Sequence, residues 1–168
     1  LERPYYVSLL SSAALHGVSH QQPQVFQVMI TKPSLRTIAK KGLKVEFFVK
    51  SEIPKSGIQQ KKTEAGYLQV AGPELTALDL TIYNKKIGGL SRLLTILTEL
   101  VEVMDPDKLL TQAQDVDNVA ALQRLGYVLD VRLKEEKLAG ALTEILKRSE
   151  EHTSELQSPC NLVCRLLL

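Results

Sequence analysis

The stretch from Tyr5 to Ile30 reads YYVSLLSSAALHGVSHQQPQVFQVMI, and its pattern changes from helical to extended along its length. The first part carries apolar residues at spacings of three and four, which predicts one buried face of a helix. These residues are Tyr6, Leu9, Leu10, Ala13 and Ala14. Gly17 predicts the end of this helix, because glycine adopts the left-handed conformation without a Cβ penalty. Alternating apolar residues then predict a strand, at Phe26, Val28 and Ile30.

Strand patterns continue through the rest of the N-terminal half. Residues 43–50 alternate, and one alternating set is wholly apolar, which predicts a half-buried strand. That set is Leu43, Val45, Phe47 and Val49. Two shorter strands are predicted at Ile58 to Thr63 and at Tyr67 to Ala71, around a turn at residues 64–66.

The chain has helical patterns from Gly72 onward. Pro73 suits the first helical position, where no backbone N–H is needed. The strongest stripe is Leu90, Leu93, Leu94, Leu97, Leu100, Val101 and Met104. Asp105 and Pro106 predict an N-cap and a first turn, and later apolar patterns predict helices near residues 119–129 and 138–145. The predicted fold is therefore α+β, with a small mixed or antiparallel sheet in the N-terminal half packed by a C-terminal set of helices.

The segment from Arg148 to Leu168 is unlike the rest of the chain. RSEEHTSELQS, at 148–158, matches the translation of a common sequencing adapter, and LVCRLLL, at 162–168, matches the far end of that adapter. We interpret residues 148–168 as an artefactual tail, disordered or loosely attached, and residues 1–147 as a domain taken from a longer protein. Both cysteines, Cys160 and Cys164, lie in the tail. The domain is therefore predicted to lack a disulfide, a thiol nucleophile and a Cys-ligated metal.

Signals of an enzyme or a metal site are sparse. His16 and His20 have the spacing of a metal-ligand pair, but Gly17 lies between them and no carboxylate is near in sequence. A structural histidine at a helix end is the favoured interpretation, and Asp79 is expected to cap a helix or to bond a neighbouring loop. The chain has no phosphate loop, dinucleotide fingerprint or nucleophile elbow. The sequence thus predicts no catalytic residue, cofactor, metal or small-molecule substrate.

A basic set of residues is more suggestive than the overall charge, since a formal charge of +2 does not by itself indicate nucleic-acid binding. The set is Lys32, Arg36, Lys40, Lys41, Lys44, Lys61 and Lys62. Arranged on one positive face, these residues are expected to contact DNA phosphates. A solvated sheet surface, or a sheet edge protected by lysine, explains the same residues, and both interpretations stay open. No apolar run is long enough to span a bilayer and no signal-peptide pattern opens the chain, so a cytoplasmic protein is expected.

Four motifs occur in a set order along the chain. They are SLLSSAALHGVSHQQPQVFQV within the opening stretch, PELTALDL from Pro73 to Leu80, IGGLSRLLTILTEL from Ile87 to Leu100, and LQRLGYVLD from Leu122 to Asp130. Together they make the chain, from Tyr5 to about Leu146, resemble the C-terminal domain of AbiEi-type antitoxins from type IV toxin–antitoxin systems.

The resemblance implies a non-enzymatic antitoxin whose counterpart is a nucleotidyltransferase-like toxin. In that family an N-terminal winged helix-turn-helix, expected upstream of Leu1, binds operator DNA and represses the operon. The antitoxin is implied to counteract the toxin without a stable complex. A non-catalytic interaction or scaffolding domain, attached to another N-terminal module, is the alternative, and a degenerate nuclease-like enzyme is a third and weaker interpretation.

Overall fold

A computed structural model describes residues 3–18, 24–40, 42–63 and 66–152 of the chain. Its strands are β1 (Tyr5–Val7), β2 (Val25–Ile30), β3 (Ile38–Lys40), β4 (Leu43–Val49), β5 (Ile58–Thr63) and β6 (Gly66–Ala71). Its helices are α1 (Leu9–Leu15), α2 (Pro73–Ile82), α3 (Asn84–Ile87), α4 (Leu90–Leu100), α5 (Pro106–Ala113), α6 (Val119–Tyr127) and α7 (Glu136–His152). A 3₁₀ turn (Val101–Val103) follows α4, and a π-helical turn (Val128–Arg132) follows α6. The predicted α+β class is confirmed.

The strands form one mixed sheet in the order β3-β4-β2-β1-β6-β5. β1 lies in the middle, antiparallel to β2 and parallel to β6. β2 is parallel to β4, and the hairpins β3–β4 and β5–β6 form the two edges. Because paired residues share a face, the register places Tyr6, Met29 and Phe48 together on the side that the helices cover.

The start of the fold corrects the sequence interpretation. Helical spacing from Tyr6 to Ala14 predicts one helix, but Tyr5–Val7 forms β1 and the helix begins only at Leu9. Tyr6 is fully buried in the middle of the sheet. A strand of three residues that leads at once into a helix is too short to show a period of two. Gly17 does end α1, with a φ of 79°.

The β3–β4 hairpin differs from the sequence prediction in two ways. β3 is absent from the prediction, because all of its residues are exposed and no buried face marks it. In β4 the most buried side chain is Phe48, which is 8% exposed, whereas Leu43 of the predicted apolar set is 56% exposed. That set alternates with Phe48 and therefore lies on the face opposite the main core.

The main core lies between the sheet and the helices, and α2 runs through it. Every residue from Pro73 to Thr81 is buried. Helices α1, α4, α5 and α6 all pack against α2. The polar side chains of a helix enclosed on every side must form hydrogen bonds with other parts of the protein, since an unpaired buried polar group costs about 1–3 kcal/mol.

Local signals at the helix ends are confirmed. The Asp105 carboxylate caps α5, because its Oδ1 accepts hydrogen bonds from the backbone N–H groups of Asp107 at 2.9 Å and Lys108 at 3.3 Å. Pro106 begins that helix. Helix α7 continues to His152, whereas residues 153–168 of the proposed tail lie outside the described residues.

Candidate functional site

A buried polar cluster joins α2 to the middle of the sheet. Asp79 is fully buried, and its Oδ2 accepts hydrogen bonds from the Tyr6 hydroxyl at 2.9 Å and the Ser8 hydroxyl at 2.7 Å. Its Oδ1 accepts a hydrogen bond from the Lys50 ammonium at 2.8 Å. Lys50 Nζ also donates to the Tyr6 hydroxyl at 3.2 Å and lies 5.9 Å from the centre of the Tyr6 ring. The cluster thus connects β1, the residue after β4, and α2.

The electrostatics of the cluster keep its tyrosine neutral. Burial raises the pKa of Tyr6, and the charge of Asp79 and its hydrogen bond raise that pKa further. Burial and the charge of Asp79 also raise the pKa of Tyr83. A neutral Tyr6 hydroxyl is a donor, which is what the Asp79 carboxylate requires.

The cluster is closed to substrates. Tyr6, Ser8 and Asp79 are fully buried, and only Lys50 reaches solvent, with 19% of its side chain exposed. A general acid, general base or nucleophile must come within hydrogen-bond reach of a substrate, and Asp79 does not. We conclude that the cluster positions α2 against β1. The sequence gives no signal of the Lys50–Asp79 pair, because the residues are 29 positions apart and Asp79 was expected only to cap a helix or bond a loop.

His16 has the structural role that its sequence context predicts. It is the C-cap residue of α1, and its Nε2 lies 2.7 Å from the backbone carbonyl oxygen of Ala71. Because a carbonyl oxygen only accepts, Nε2 is the donor. His20 lies outside the described residues. Within the ranges that the structure describes, no group of three or more His, Cys, Asp or Glu residues is placed to hold a metal ion.

The predicted DNA-contacting residues fall into two groups. One group lies in the β2–β3 connection and the β3–β4 hairpin and consists of Lys32, Arg36, Lys40 and Lys44. Lys61 and Lys62 lie in β5, at the opposite edge of the sheet. Five strand spacings of about 4.8 Å place the two edges roughly 24 Å apart. Lys41 lies outside the described residues, and the other six form two surfaces rather than one. Contact with DNA stays a prediction for all seven.

The hairpin tip, which we define as Lys40, Gly42, Leu43 and Lys44, is exposed throughout. Lys40 pairs with Leu43 and shares its face, so Lys44, the next residue along β4, points to the other face. Leu43 is 56% exposed, and Ile38 beside it is 50% exposed. The hairpin tip therefore has one lysine on each face of the sheet edge, and Leu43 and Ile38 form an exposed apolar patch on the same face as Lys40.

The region that contains both the Asp79 cluster and the hairpin tip matches a known family. The model of the AbiEi antitoxin C-terminal domain matches residues 6–131. The chain belongs to this family. The match includes the central helix α2 and all six strands apart from the first residue of β1. It confirms the family that the four ordered motifs indicate.

A solved structure has the same fold as this AbiEi domain. The crystal structure of the RV2827C protein from Mycobacterium tuberculosis aligns with a TM-score of 0.56 and 18% sequence identity. The alignment covers 85% of this chain and 52% of the RV2827C chain, so the AbiEi domain spans about half the length of that protein. A search of curated proteins gave no significant match.

Membership of the AbiEi family bears on function at a coarse level. It shows that the chain contains the type of domain found in the C-terminal part of AbiEi antitoxins. Among the described residues of the AbiEi domain, no helix is long and apolar enough to cross a membrane.

Proposed function

We propose that this AbiEi domain is the antitoxin part of a type IV toxin–antitoxin system that acts in the cytoplasm in defence against phage. The family match over residues 6–131 carries the proposal. The domain counteracts a nucleotidyltransferase-like toxin without forming a stable complex with it. In the full-length protein an N-terminal winged helix-turn-helix reads operator DNA, and the antitoxin represses its own operon.

The hairpin tip supports a direct contribution of this domain to DNA binding. Lys40 and Lys44 lie on opposite faces of the β3–β4 hairpin at the edge of the sheet, and both side chains are exposed. An exposed lysine at such an edge can contact a DNA phosphate. Such contacts add affinity without reading the sequence, which suits a domain that assists a separate operator-reading module.

Growth rescue tests the antitoxin proposal. We expect the 168-residue chain to restore growth to cells that express a nucleotidyltransferase-like toxin from the same locus, and not to cells that express an unrelated endonuclease toxin. Size-exclusion chromatography of the mixed proteins should show separate peaks. Failure to rescue contradicts the antitoxin role, and rescue through a stable complex contradicts type IV. Nuclease or nucleotidyltransferase activity of the pure chain contradicts a non-enzymatic role.

Salt dependence tests the role of the hairpin tip. The double variant Lys40→Ala/Lys44→Ala removes two phosphate contacts, so the slope of log K against log salt concentration should become shallower by about 1.8. Fluorescence anisotropy with duplex DNA measures that slope. Lys85→Ala/Lys86→Ala, at two exposed positions of α3 outside the predicted set, removes the same charge and should leave the slope unchanged. Equal effects of the two double variants contradict the assignment to the hairpin tip.

A further inference from the structure

A cleft of about 390 Å³ lies between the turn that precedes β5, the start of α2, and α5. Its lining residues are Ser56, Gly57, Ile58, Gln59, Glu74, Asp107, Lys108, Thr111 and Gln112. This volume falls within the range of small-molecule sites, which is about 300–1,000 Å³. The cleft is separate from the Asp79 cluster and from the hairpin tip, because it shares no residue with either.

Glu74 places a buried carboxylate in the wall of the cleft. The residue is 2% exposed, and its Oε1 accepts a hydrogen bond from the backbone N–H of Asp105 at 2.8 Å. In the described part of the chain, Lys50 forms an ion pair with Asp79, and no lysine or arginine forms one with Glu74. A buried carboxylate without a cation is costly, so this wall favours a positive ligand.

Gln112 adds an unpaired acceptor beside Glu74. Its side chain is 7% exposed, and its Oε1 is buried without any hydrogen-bond partner. The amide lies directly against Gly57, where a Cβ would approach Oε1 to 2.5 Å. Gly57 thus leaves room for the amide beside the cleft. An unpaired buried oxygen of this kind is destabilising until a donor reaches it.

The remaining charges of the cleft lie at its rim. Asp107 adds a second carboxylate, and Lys108 and Gln59 are the exposed donors there. With two carboxylates against one ammonium, the lining carries a formal charge of −1. The donors at the rim are exposed to solvent, whereas Gln112 Oε1 is buried without a partner.

We propose that this cleft binds a guanidinium group. A guanidinium offers five N–H donors in a planar fork and a permanent positive charge, so it can pair with the Glu74 carboxylate and, once the amide turns, donate to Gln112 Oε1. Ca²⁺ or Mg²⁺ fits less well, since each takes six or more oxygen ligands and two carboxylates line the cleft. The group belongs either to a free arginine-like molecule or to an arginine side chain of a protein.

Paired probes test whether the cleft binds a guanidinium group and whether that group comes from a free molecule or from a protein side chain. Arginine and agmatine represent the free molecule, Gly-Arg-Gly represents the side chain, and citrulline and Gly-citrulline-Gly replace the guanidinium with a neutral group of similar size. We expect at least one arginine probe to bind saturably below about 10 mM and its citrulline partner not to bind. Amide chemical shifts in the NMR spectrum should change at Gly57 and Thr111. Binding of arginine or agmatine identifies a free ligand, and binding of the peptide alone identifies a protein side chain.

Two variants keep the test decisive. Glu74→Gln retains an oxygen for the Asp105 N–H but removes the charge, and we expect it to weaken binding at least tenfold. Gln112→Leu removes the unpaired oxygen, and we expect weaker binding with unchanged or higher thermal stability. Asp115→Asn removes an exposed charge outside the cleft lining and should bind like the unaltered chain. Absence of binding by all arginine probes, equal binding of citrulline, or unaltered binding by both cleft variants overturns the proposal.

Discussion

Replacing Asp79 with asparagine should destabilise the domain while it leaves the shape of the core almost unchanged. The carboxylate accepts three hydrogen bonds from side chains, at 2.9 Å from Tyr6, 2.7 Å from Ser8 and 2.8 Å from Lys50. A hydrogen bond to a charged group contributes about 1.5–3 kcal/mol and a neutral one about 0.5–1.5 kcal/mol. Each bond is thus expected to lose about 1 kcal/mol, and the free energy of unfolding should fall by about 3 kcal/mol.

Urea denaturation followed by circular dichroism measures this loss. For a domain of this size, about 3 kcal/mol corresponds to a drop in Tm of roughly 6–12 °C, with an unchanged m-value. Asp115→Asn is the control, because Asp115 is exposed and surface changes stay within about 0.5 kcal/mol.

A double-mutant cycle separates the ion pair from the two hydroxyl contacts. Lys50→Met keeps most of the lysine stem and removes its charge, so in that background Asp79→Asn should cost about 1 kcal/mol less. Our account of the cluster is wrong if Asp79→Asn costs less than about 1 kcal/mol. The contribution assigned to Lys50 is wrong if Asp79→Asn costs the same with Lys50 present as with Lys50→Met.

Three further predictions concern Tyr6, Gly126 of α6, and Gly57 in the turn before β5. Because the pKa of Tyr6 is raised in the folded protein, its contribution is present below the unfolded pKa of about 10 and is lost as the pH rises above it. Urea titrations above pH 10 should therefore show stability falling by about 1.4 kcal/mol per pH unit more steeply in the unaltered chain than in Tyr6→Phe, and parallel curves contradict this. Gly126→Ala should stabilise α6 by about 0.5–1 kcal/mol, since the added Cβ meets only Leu142 Cβ, at 3.8 Å. Gly57→Ala should instead destabilise, because its φ is +84° and its Cβ would lie 2.5 Å from Gln112; equal Tm shifts in the two glycine variants would refute the comparison.

Sequence patterns identify the elements whose period or caps are local. The apolar stripe predicts α4, alternation predicts β2, the turn at residues 64–66 marks β5 and β6, and Asp105 predicts the start of α5. The sequence does not predict β1, because this strand has three residues and leads directly into α1. The sequence does not predict β3 either. This edge strand pairs with β4 but buries no face, so its sequence carries no apolar pattern.

The contacts that hold the core are harder to predict because their partners are distant in sequence. Asp79 is 73 positions from Tyr6 and 29 positions from Lys50. Nothing at either residue indicates the other, and only the sheet order brings them together. The same holds for the basic residues. Lys40 and Lys61 belong to one basic set in the sequence, but they lie at opposite edges of the sheet. The Glu74–Gln112 cleft likewise depends on two helices that meet only in the folded core.

The central position of β1 has a consequence for synthesis on the ribosome. Val7 is made early, yet one of its two neighbours in the sheet, Val70 of β6, emerges only after β2, β3, β4 and β5. Until then one side of β1 has an open row of backbone donors and acceptors, which is the kind of edge that pairs with other chains. Nascent chains that stall before residue 70 are therefore the form of this protein most in need of a chaperone.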